Sequence, residues 1–296
     1  MKGEIAVVTG GSSGIGLACA RLLALEGARV YLVARDAQRL TQAAASIDGE
    51  VRTIALDLSS AAVDQLPGRL SESGERRVDL LLNCAGQLEV GPAELLGADV
   101  AERLMQINYL GPVRAIEALL PLLRNGRRRS IVTISSLAGH LAPPYMAAYS
   151  ASKFAVNAYS CALRQELCRE GFHVGLVAPG PVATAMTEGR IDTEHYPLLP
   201  GVPVLSAEQV ALQVMHCIGS RRIELILPRR LALGRRLLAA FPGLVDYLYR
   251  RYTTATQPRC NGSQTQPSGG CTGEDTALES ERLSAGSAPL DGQNPR

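Results

Sequence analysis

Apolar and polar positions along this chain alternate between short β-rich runs and longer stretches at helical spacing. The first run is Ile5-Ala6-Val7-Val8, followed by a helical pattern over 17–26. Arg29–Ala34 reads as a second strand, 51–56 as a third and 78–82 as a fourth. Ser130–Ile134, 174–178 and 223–227 continue the series. Helices are predicted over 59–73, over 99–123 with a bend at Gly111-Pro112, over 147–166 and from Ser206 to Ile218. Val78-Asp79-Leu80-Leu81-Leu82 is almost unbroken in its apolarity, as a parallel strand covered on both faces must be. The strand–helix rhythm across 5–227 therefore predicts an α/β protein with a single doubly wound parallel sheet.

The periodicity then changes. Residues 185–205 hold Pro, Gly and Tyr without a clean period and read as a mobile loop over a site. Over 229–252, Leu231, Leu237, Leu238, Phe241, Leu244, Val245, Leu248 and Tyr249 recur at helical spacing among six arginines, and Pro242-Gly243 splits them into two short helices. From 253 onward Gly, Ser, Thr, Gln and Pro dominate and the hydrophobic pattern ends, which predicts a disordered tail. The expected division is a catalytic domain over 1–228, a C-terminal helical extension over 229–252 and a tail over 253–296.

Composition narrows the function classes. A hydrophobic content of 46% supplies a sizeable core, and a net charge of +2 gives no whole-chain case for nucleic acid. The start runs directly into an apolar strand with no signal peptide before it, and no apolar run approaches the roughly 18 residues of a membrane span. Seven cysteines without a Cys-x-x-Cys pair fit reduced thiols, so a cytoplasmic protein is expected. The four histidines lack metal-ligand spacing, and no metal is expected. The arginines and apolar side chains of 229–252 do match an interfacial helix, so a peripheral membrane contact there is a second expectation beside closure of a pocket or a subunit contact.

Three stretches carry candidate chemistry. Thr9-Gly10-Gly11-Ser12-Ser13-Gly14-Ile15-Gly16 lies between a strand and a helix. Glycines there permit a tight turn and a close approach of backbone N–H groups to a pyrophosphate at the helix N-terminus, the dinucleotide-binding arrangement of a Rossmann fold. At the end of the second strand, where an adenosine ribose lies, stands Arg35 followed by Asp36. Arginine favours a 2′-phosphate, and Asp36 is placed to cap the next helix, so NADP(H) is expected over NAD(H). The third stretch is Tyr149-Ser150-Ala151-Ser152-Lys153, where Tyr149 and Lys153 share one helix face. Lys2 and Lys153 are the only lysines in an arginine-rich chain. A compact ammonium at 153 is expected to lower the pKa of the Tyr149 phenol and ready it for proton exchange with a substrate oxygen. Asp57 ends the third strand, where it meets an adenine amino group or caps the following helix. Asn108 is a polar residue on an apolar helix face and needs partners.

In this order and at these spacings, Thr9-Gly10…Gly14-Ile15-Gly16, Asp57-Leu58, Asn83-Cys84-Ala85-Gly86, Asn108, Ser136, Tyr149 with Lys153, and Pro179-Gly180…Thr184 resemble the short-chain dehydrogenase/reductases over residues 3 to 227. The resemblance implies Tyr149 as general acid for ketone reduction or base for alcohol oxidation, with Ser136 on the substrate oxygen. It implies Lys153 on the nicotinamide ribose, Asn108 holding a helix open around a proton-relay water, and Thr184 with the Val182 backbone on the carboxamide. It also implies a homo-oligomer, a dimer or tetramer. Within the family the chain is most similar to reductases of lipid ketones of the 3-ketosphinganine type, although it lacks their N-terminal hydrophobic anchor. Leu137, His140, Leu141, Pro143, Tyr145, Met146 and Met186 would then face a small, fairly apolar ketone or alcohol. The alternative is a nucleotide-sensing or scaffold protein on the same fold; loss of the tyrosine, lysine or serine would mark it, and none is lost.

Overall fold

The computed structural model describes residues 1–188, 196, 202–231, 243, 247, 249 and 250. All of these fall within the compact unit Met1–Gln257; a second unit, Pro258–Arg296, lies outside the described residues, as do most of the predicted helices at 229–252 and the predicted tail.

In chain order the elements are β1 (Ile5–Thr9), α1 (Gly14–Leu25), β2 (Arg29–Ala34), α2 (Ala37–Ala45), β3 (Val51–Ala55), α3 (Leu66–Glu72), β4 (Leu80–Asn83), α4 (Ala93–Met105), α5 (Gly111–Arg124), β5 (Ser130–Ile134), α6 (Ala147–Leu167), β6 (His173–Pro179), β7 (Val182–Ala183), β8 (Leu205–Ser206), α7 (Ala207–Ser220) and β9 (Glu224–Leu227). Seven strands make one parallel sheet in the order β3-β2-β1-β4-β5-β6-β9, and β7 with β8 forms a separate short parallel pair. This is the expected doubly wound sheet. Its order reverses between β1 and β4, so their C-terminal ends have no crossover helix between them and leave a crevice. Thr9 is in register with Asn83, and Asn83 with Thr133, which sets the glycine turn after β1 beside the loop after β4.

The sheet separates two apolar layers. Val8, Leu32 and Leu82 point to the side of α1 and α7, while Val7, Val33 and Leu81 point to the side of α3, α5 and α6. Each fully buried leucine in these layers contributes about 1.5–3 kcal/mol relative to exposure. Local signals fix the helix starts. Asp36 caps α2 by accepting a hydrogen bond from Arg39 N, and Ser206 with Gln209 forms a reciprocal capping box on α7.

Two expected helices differ. The stretch 59–73 opens as a 3-10 turn, Ala61–Gln65, capped by Ser60, and becomes α-helical only at Leu66. The stretch 99–123 is not one helix bent at Gly111-Pro112. It begins earlier at Ala93, kinks at Gly97 with φ 69°, widens into a π turn at Gln106–Leu110, and continues as α5. Pro112 sits in the first turn of α5, where a missing N–H does no harm.

At the opposite, N-terminal ends of the strands, the buried carboxylate of Asp79 accepts hydrogen bonds from Ile5 N at 2.8 Å, Arg127 N at 2.6 Å and Arg77 Nε at 3.3 Å. It joins the starts of β1, β4 and β5. Asp79→Ala should lower stability by about 3–5 kcal/mol, because buried donors lose their acceptor. Asp79→Asn keeps one carbonyl oxygen and should cost clearly less; urea unfolding midpoints of the two variants check this.

Candidate active site

The crevice at the strand reversal is a cleft of about 340 Å³ that runs from the end of β2, across the glycine turn, to α6. Its floor is the turn Gly10–Gly16. Gly10 has φ +67°, and a Cβ there would fall 2.7 Å from Ala85 N. A Cβ on Gly16 would fall 2.3 Å from the Gly10 carbonyl oxygen. No larger residue fits either position without moving backbone. Ser12, Ser13, Gly14, Ile15 and Gly16 all line the cleft, and Ser13 at the start of α1 makes no side-chain cap. The first-turn N–H groups of α1 are thus left for a ligand, and an anion is the ligand they suit. The site fits the pyrophosphate of a dinucleotide.

At the β2 end the walls are Ala34, Arg35, Asp36, Arg39, Leu56 and Leu58. Arg35 and Arg39 are exposed there, and neither makes an ion pair among the described residues. The Asp36 carboxylate is engaged with Arg39 N at 2.9 Å, as its capping role anticipated. Asp57 departs from expectation. Its carboxylate accepts from Ser59 N at 2.9 Å and from Ser59 Oγ at 2.7 Å, and it does not line the cleft, nor does it cap a helix. Burial pushes its pKa up, but the Ser59 hydrogen bonds and the nearby Arg35 charge hold it below the usual carboxylate range. Leu58 takes the wall position instead.

Beyond the turn, Cys84, Ala85 and Gly86 line the cleft, but Asn83 does not. The Asn83 side chain is buried, with neither of its polar atoms partnered among the described residues. Cys84 is close enough to Cys19 of α1 for a thiol–thiol hydrogen bond, and burial, then that contact, pushes its pKa well up.

The catalytic candidates converge on the third wall. Ser136 follows β5 and caps a 3-10 turn, Leu137–Gly139, accepting from Ala138 N at 3.1 Å. That leaves its hydroxyl proton to donate, and it hydrogen-bonds the Tyr149 phenol. Ser135 lines the cleft too, but its hydroxyl donates to Asn157 Oδ1, whose amide in turn donates to Gly139 O at 2.8 Å. Ser136 is the free serine. Lys153, one turn after Tyr149 on α6, is buried; its ammonium donates to Ile134 O at 3.2 Å and lies 5.8 Å from the Tyr149 ring centroid.

Electrostatics here differ from the expectation. Burial pushes Tyr149 up to about 12; the Ser136 hydrogen bond opposes this and Tyr196 adds to it. Burial also pushes Lys153 down to about 8. The ammonium faces the ring and a backbone carbonyl rather than the phenol oxygen, so desolvation outweighs its charge.

Asn108 is buried in the π turn and does not line the cleft. Its amide donates to Gln87 O at 2.9 Å and to Ser152 Oγ at 3.0 Å, and its carbonyl accepts from Gln87 N at 2.8 Å. It clamps the loop after β4 to α6, so Gly86, Lys153 and Tyr149 keep one arrangement. Pro179 at the end of β6, and Gly180, Val182 and Thr184 after it, line the far side. Thr187 Oγ1 accepts from Thr184 N at 3.1 Å and donates to Val182 O at 2.6 Å, which fixes that strap.

Of the apolar candidates, Leu137, Leu141, Pro143, Met146 and Met186 line the cleft, and His140 and Tyr145 do not. His140 Nε2 instead meets Glu224 Oε1 at 3.1 Å, drawn to the sheet edge by that carboxylate. Tyr145 takes a left-handed backbone, φ 64°, and accepts from Gly91 N through its carbonyl. Sequence reasoning missed Arg39, Gln87, Leu88, Tyr196 and Tyr249 in the lining. Arg39 was one turn from Arg35 and could have been found by helical spacing; Tyr196 and Tyr249 lie in the two stretches expected over the site, 185–205 and 229–252, but nothing in their spacing singled out these two side chains. Most of the loop predicted over 185–205 lies outside the described residues. Among the described residues no cluster of His, Cys, Asp and Glu could hold a metal, and no helix is long and apolar enough to cross a membrane.

Known proteins share this sequence and architecture. The sequence profile of the short chain dehydrogenases matches residues 4–195. The chain is 30% identical over 240 residues to the dehydrogenase/reductase SDR family member 7B of Danio rerio, covering 77% of this chain and 78% of that protein. It is 37% identical over 195 residues to a 3-ketodihydrosphingosine reductase of Bacteroides thetaiotaomicron, covering 64% and 68%. Among solved structures, a short chain dehydrogenase/reductase from Burkholderia phymatum in complex with NAD superposes with a TM-score of 0.72 at 26% identity, covering 82% of this chain and 95% of that one. With the glycine turn, the strand reversal and the Ser136–Tyr149–Lys153 wall in one cleft, the chain belongs to the short-chain dehydrogenase/reductase family of oxidoreductases.

Proposed function

We propose that this protein is an NADP(H)-dependent reductase of a ketone on an apolar, lipid-like substrate. The observation that carries the cofactor choice is the pair Arg35 and Arg39 at the adenosine end, with the Asp36 carboxylate, also in the wall, engaged as the cap of α2. Two exposed guanidiniums that form no ion pair among the described residues suit a 2′-phosphate dianion, whereas a ribose 2′-hydroxyl would prefer a free carboxylate. The substrate reading rests on Leu88, Leu137, Leu141, Met146 and Met186 in the lining, and on the similarity to a 3-ketodihydrosphingosine reductase. Tyr249, from the stretch 229–252, also lines the cleft, which favours a pocket-closing role there.

The nicotinamide, when bound, supplies the hydride. The chain's own residues handle the oxygen and its proton. Ser136 donates a hydrogen bond to the substrate carbonyl oxygen and so polarises it. As negative charge develops there, the Tyr149 hydroxyl gives up its proton. A phenol held up to about 12 stays protonated throughout neutral pH, which suits an acid in ketone reduction. Lys153 would hold the nicotinamide ribose hydroxyls, and its positive charge would lower the cost of phenolate once the proton has moved. Asn108 acts as a positioning residue through Gln87 and Ser152. Thr184 and the Val182 backbone would hold the carboxamide and select the ring face presented to substrate.

Tyr149→Phe should lower kcat by about 10²–10⁴-fold while NADPH binding changes only a few-fold, since only the transferable proton is lost. The pH profile carries a second signature. With Lys153 held down to about 8, its charge is present at neutral pH and lost as pH rises through that value. Reduction should therefore hold steady through neutrality and decline above pH 8. Initial rates across a buffer series read both effects; an unchanged Tyr149→Phe rate removes the mechanism.

For the cofactor, Arg35→Ala and Arg39→Ala should each weaken NADPH by about 10–100-fold, the size of a lost charge-assisted hydrogen bond, with little change for NADH. Calorimetric titration of both cofactors measures this. Equal losses for NADPH and NADH would show that the 2′-phosphate is not what these arginines bind.

A further inference from the structure

The N-terminal ends of β5, β6 and β9, at the opposite end of the sheet from the cleft, carry arginines from three loops. They are Arg127 to Arg129 before β5, Arg169 before β6, and Arg221 with Arg222 before β9. Two of these guanidiniums, Arg129 and Arg221, and that of Arg164 nearby are held by neutral backbone carbonyls. Arg221 donates to Gly171 O at 2.7 Å and to Arg128 O at 3.3 Å, Arg129 donates to Glu170 O at 2.9 Å, and Arg164 of α6 donates to Ile223 O at 3.0 Å. Arg128 is neutralised by Glu4 and Arg124 by Glu170. Among the described residues none of Arg127, Arg129, Arg221 and Arg222 forms an ion pair. Arg129 and Arg221 are fixed in place by these carbonyls, and the Glu170 carboxylate, already paired with Arg124, offsets the Arg129 charge only in part.

Two further observations point the same way. Arg129 and Arg221 have φ of 50° and 51°, in the left-handed region where glycine is comfortable and arginine is strained. Arg221 occupies the position after α7 where glycine is the common helix terminator. Strain kept at two surface positions, each carrying a guanidinium, is a pointer to function rather than to folding. Beneath them His173 is buried between Ser130 Oγ and Arg222 O, and burial, with the charges of Arg221, Arg128 and Arg164 behind it, keeps its proton affinity low. The field at this end is positive.

We propose that this end of the sheet is a docking surface for an anionic lipid bilayer, with Arg127, Arg129, Arg221 and Arg222 on headgroup phosphates and carboxylates and Ile223 entering the headgroup layer. A guanidinium tied by part of its fork to a carbonyl keeps N–H groups for an outer oxyanion. The charge of these four comes from two separate loop tips at one end of the sheet, with Arg169 on a third, an arrangement suited to a charged plane. A protein partner would need an apolar interface centre with aromatic anchors; within this cluster the exposed large apolar side chain is Ile223, 58% exposed. A bilayer needs only the basic charge and tolerates a single apolar insert. Docking here leaves the cleft facing away from the membrane, so it tethers the protein without blocking the site. It does not depend on the cofactor or substrate assigned above.

The test uses the full chain with vesicles of phosphatidylcholine alone or mixed with phosphatidylserine, at low and high salt. Binding is expected to the mixed vesicles only, and to fall with salt. The informative variant is Arg129→Gly with Arg221→Gly. Glycine relieves the left-handed backbone at both positions, so melting temperature and NADPH turnover should hold or improve. Vesicle affinity should drop by about 25-fold, from about fivefold per arginine near an anionic surface. No binding to mixed vesicles at low salt overturns the proposal. So does unchanged binding by the double glycine variant, which would place the contact elsewhere on the chain. Binding to polyglutamate or duplex DNA without binding to vesicles also overturns it, by giving the surface to another class of partner.

Discussion

The ammonium of Lys153 sits where a charge is costly, and much of the site is arranged around that cost. It is buried, its pKa is pushed down to about 8, and its described hydrogen bond goes to a carbonyl at the end of β5. A charge with so little compensation persists only if the surrounding backbone is rigid. That rigidity is supplied from three directions. The parallel register of β5 and β6 sets Ile134 opposite Val177, Asn108 ties the loop after β4 to α6, and Asn157 locks the turn that begins at Ser136. Ser136, Tyr149 and Lys153 are therefore held by elements distant in sequence, and a cofactor ribose entering the cleft would give the ammonium the partners it lacks.

The same reasoning explains why the two ends of the cleft differ in character. Around Lys153 the walls are apolar and groups are desolvated, so proton affinities move far from their ordinary values. At the end of β2 the arginines are exposed, and their effect on a ligand is direct charge attraction that salt will weaken. Between them lies the glycine turn, where Gly10 and Gly16 approach neighbouring backbone so closely that no side chain can intervene. In the proposed reading, chemistry, cofactor choice and phosphate binding fall to separate structural devices, and substitutions in one should leave the others readable.

Most of the sheet was legible because its strands are short β-branched and leucine runs separated by helical periods, and the glycine turn was legible because only a close backbone approach needs that spacing. The pairing of Tyr149 with Lys153 followed from helical geometry, and Asn108 was visible as a polar residue that needed partners. What escaped is what depends on three-dimensional neighbours. The direction of the Tyr149 shift turns on which way the ammonium points and on how little water surrounds the phenol, neither of which spacing reveals. Asp57 and Asn83 sat at strand ends facing the right crevice in one dimension, yet one folds back onto Ser59 and the other is buried outside the lining. The π turn at Gln106–Leu110 has no propensity signature; it forms where Asn108 must reach both Gln87 and Ser152. His140 was drawn off by Glu224, a partner more than eighty residues later in the chain.

The central claim is that this cleft turns over ketones and does not merely sense nucleotide. The direct measurement is to mix the full chain with NADPH and a panel of ketones graded from short and polar to long-chain and apolar, and to quantify NADPH consumed against alcohol formed. One alcohol per NADPH, with rates rising toward the apolar members, is the predicted result. Tight NADPH binding with no alcohol formed from any ketone in the panel would contradict it.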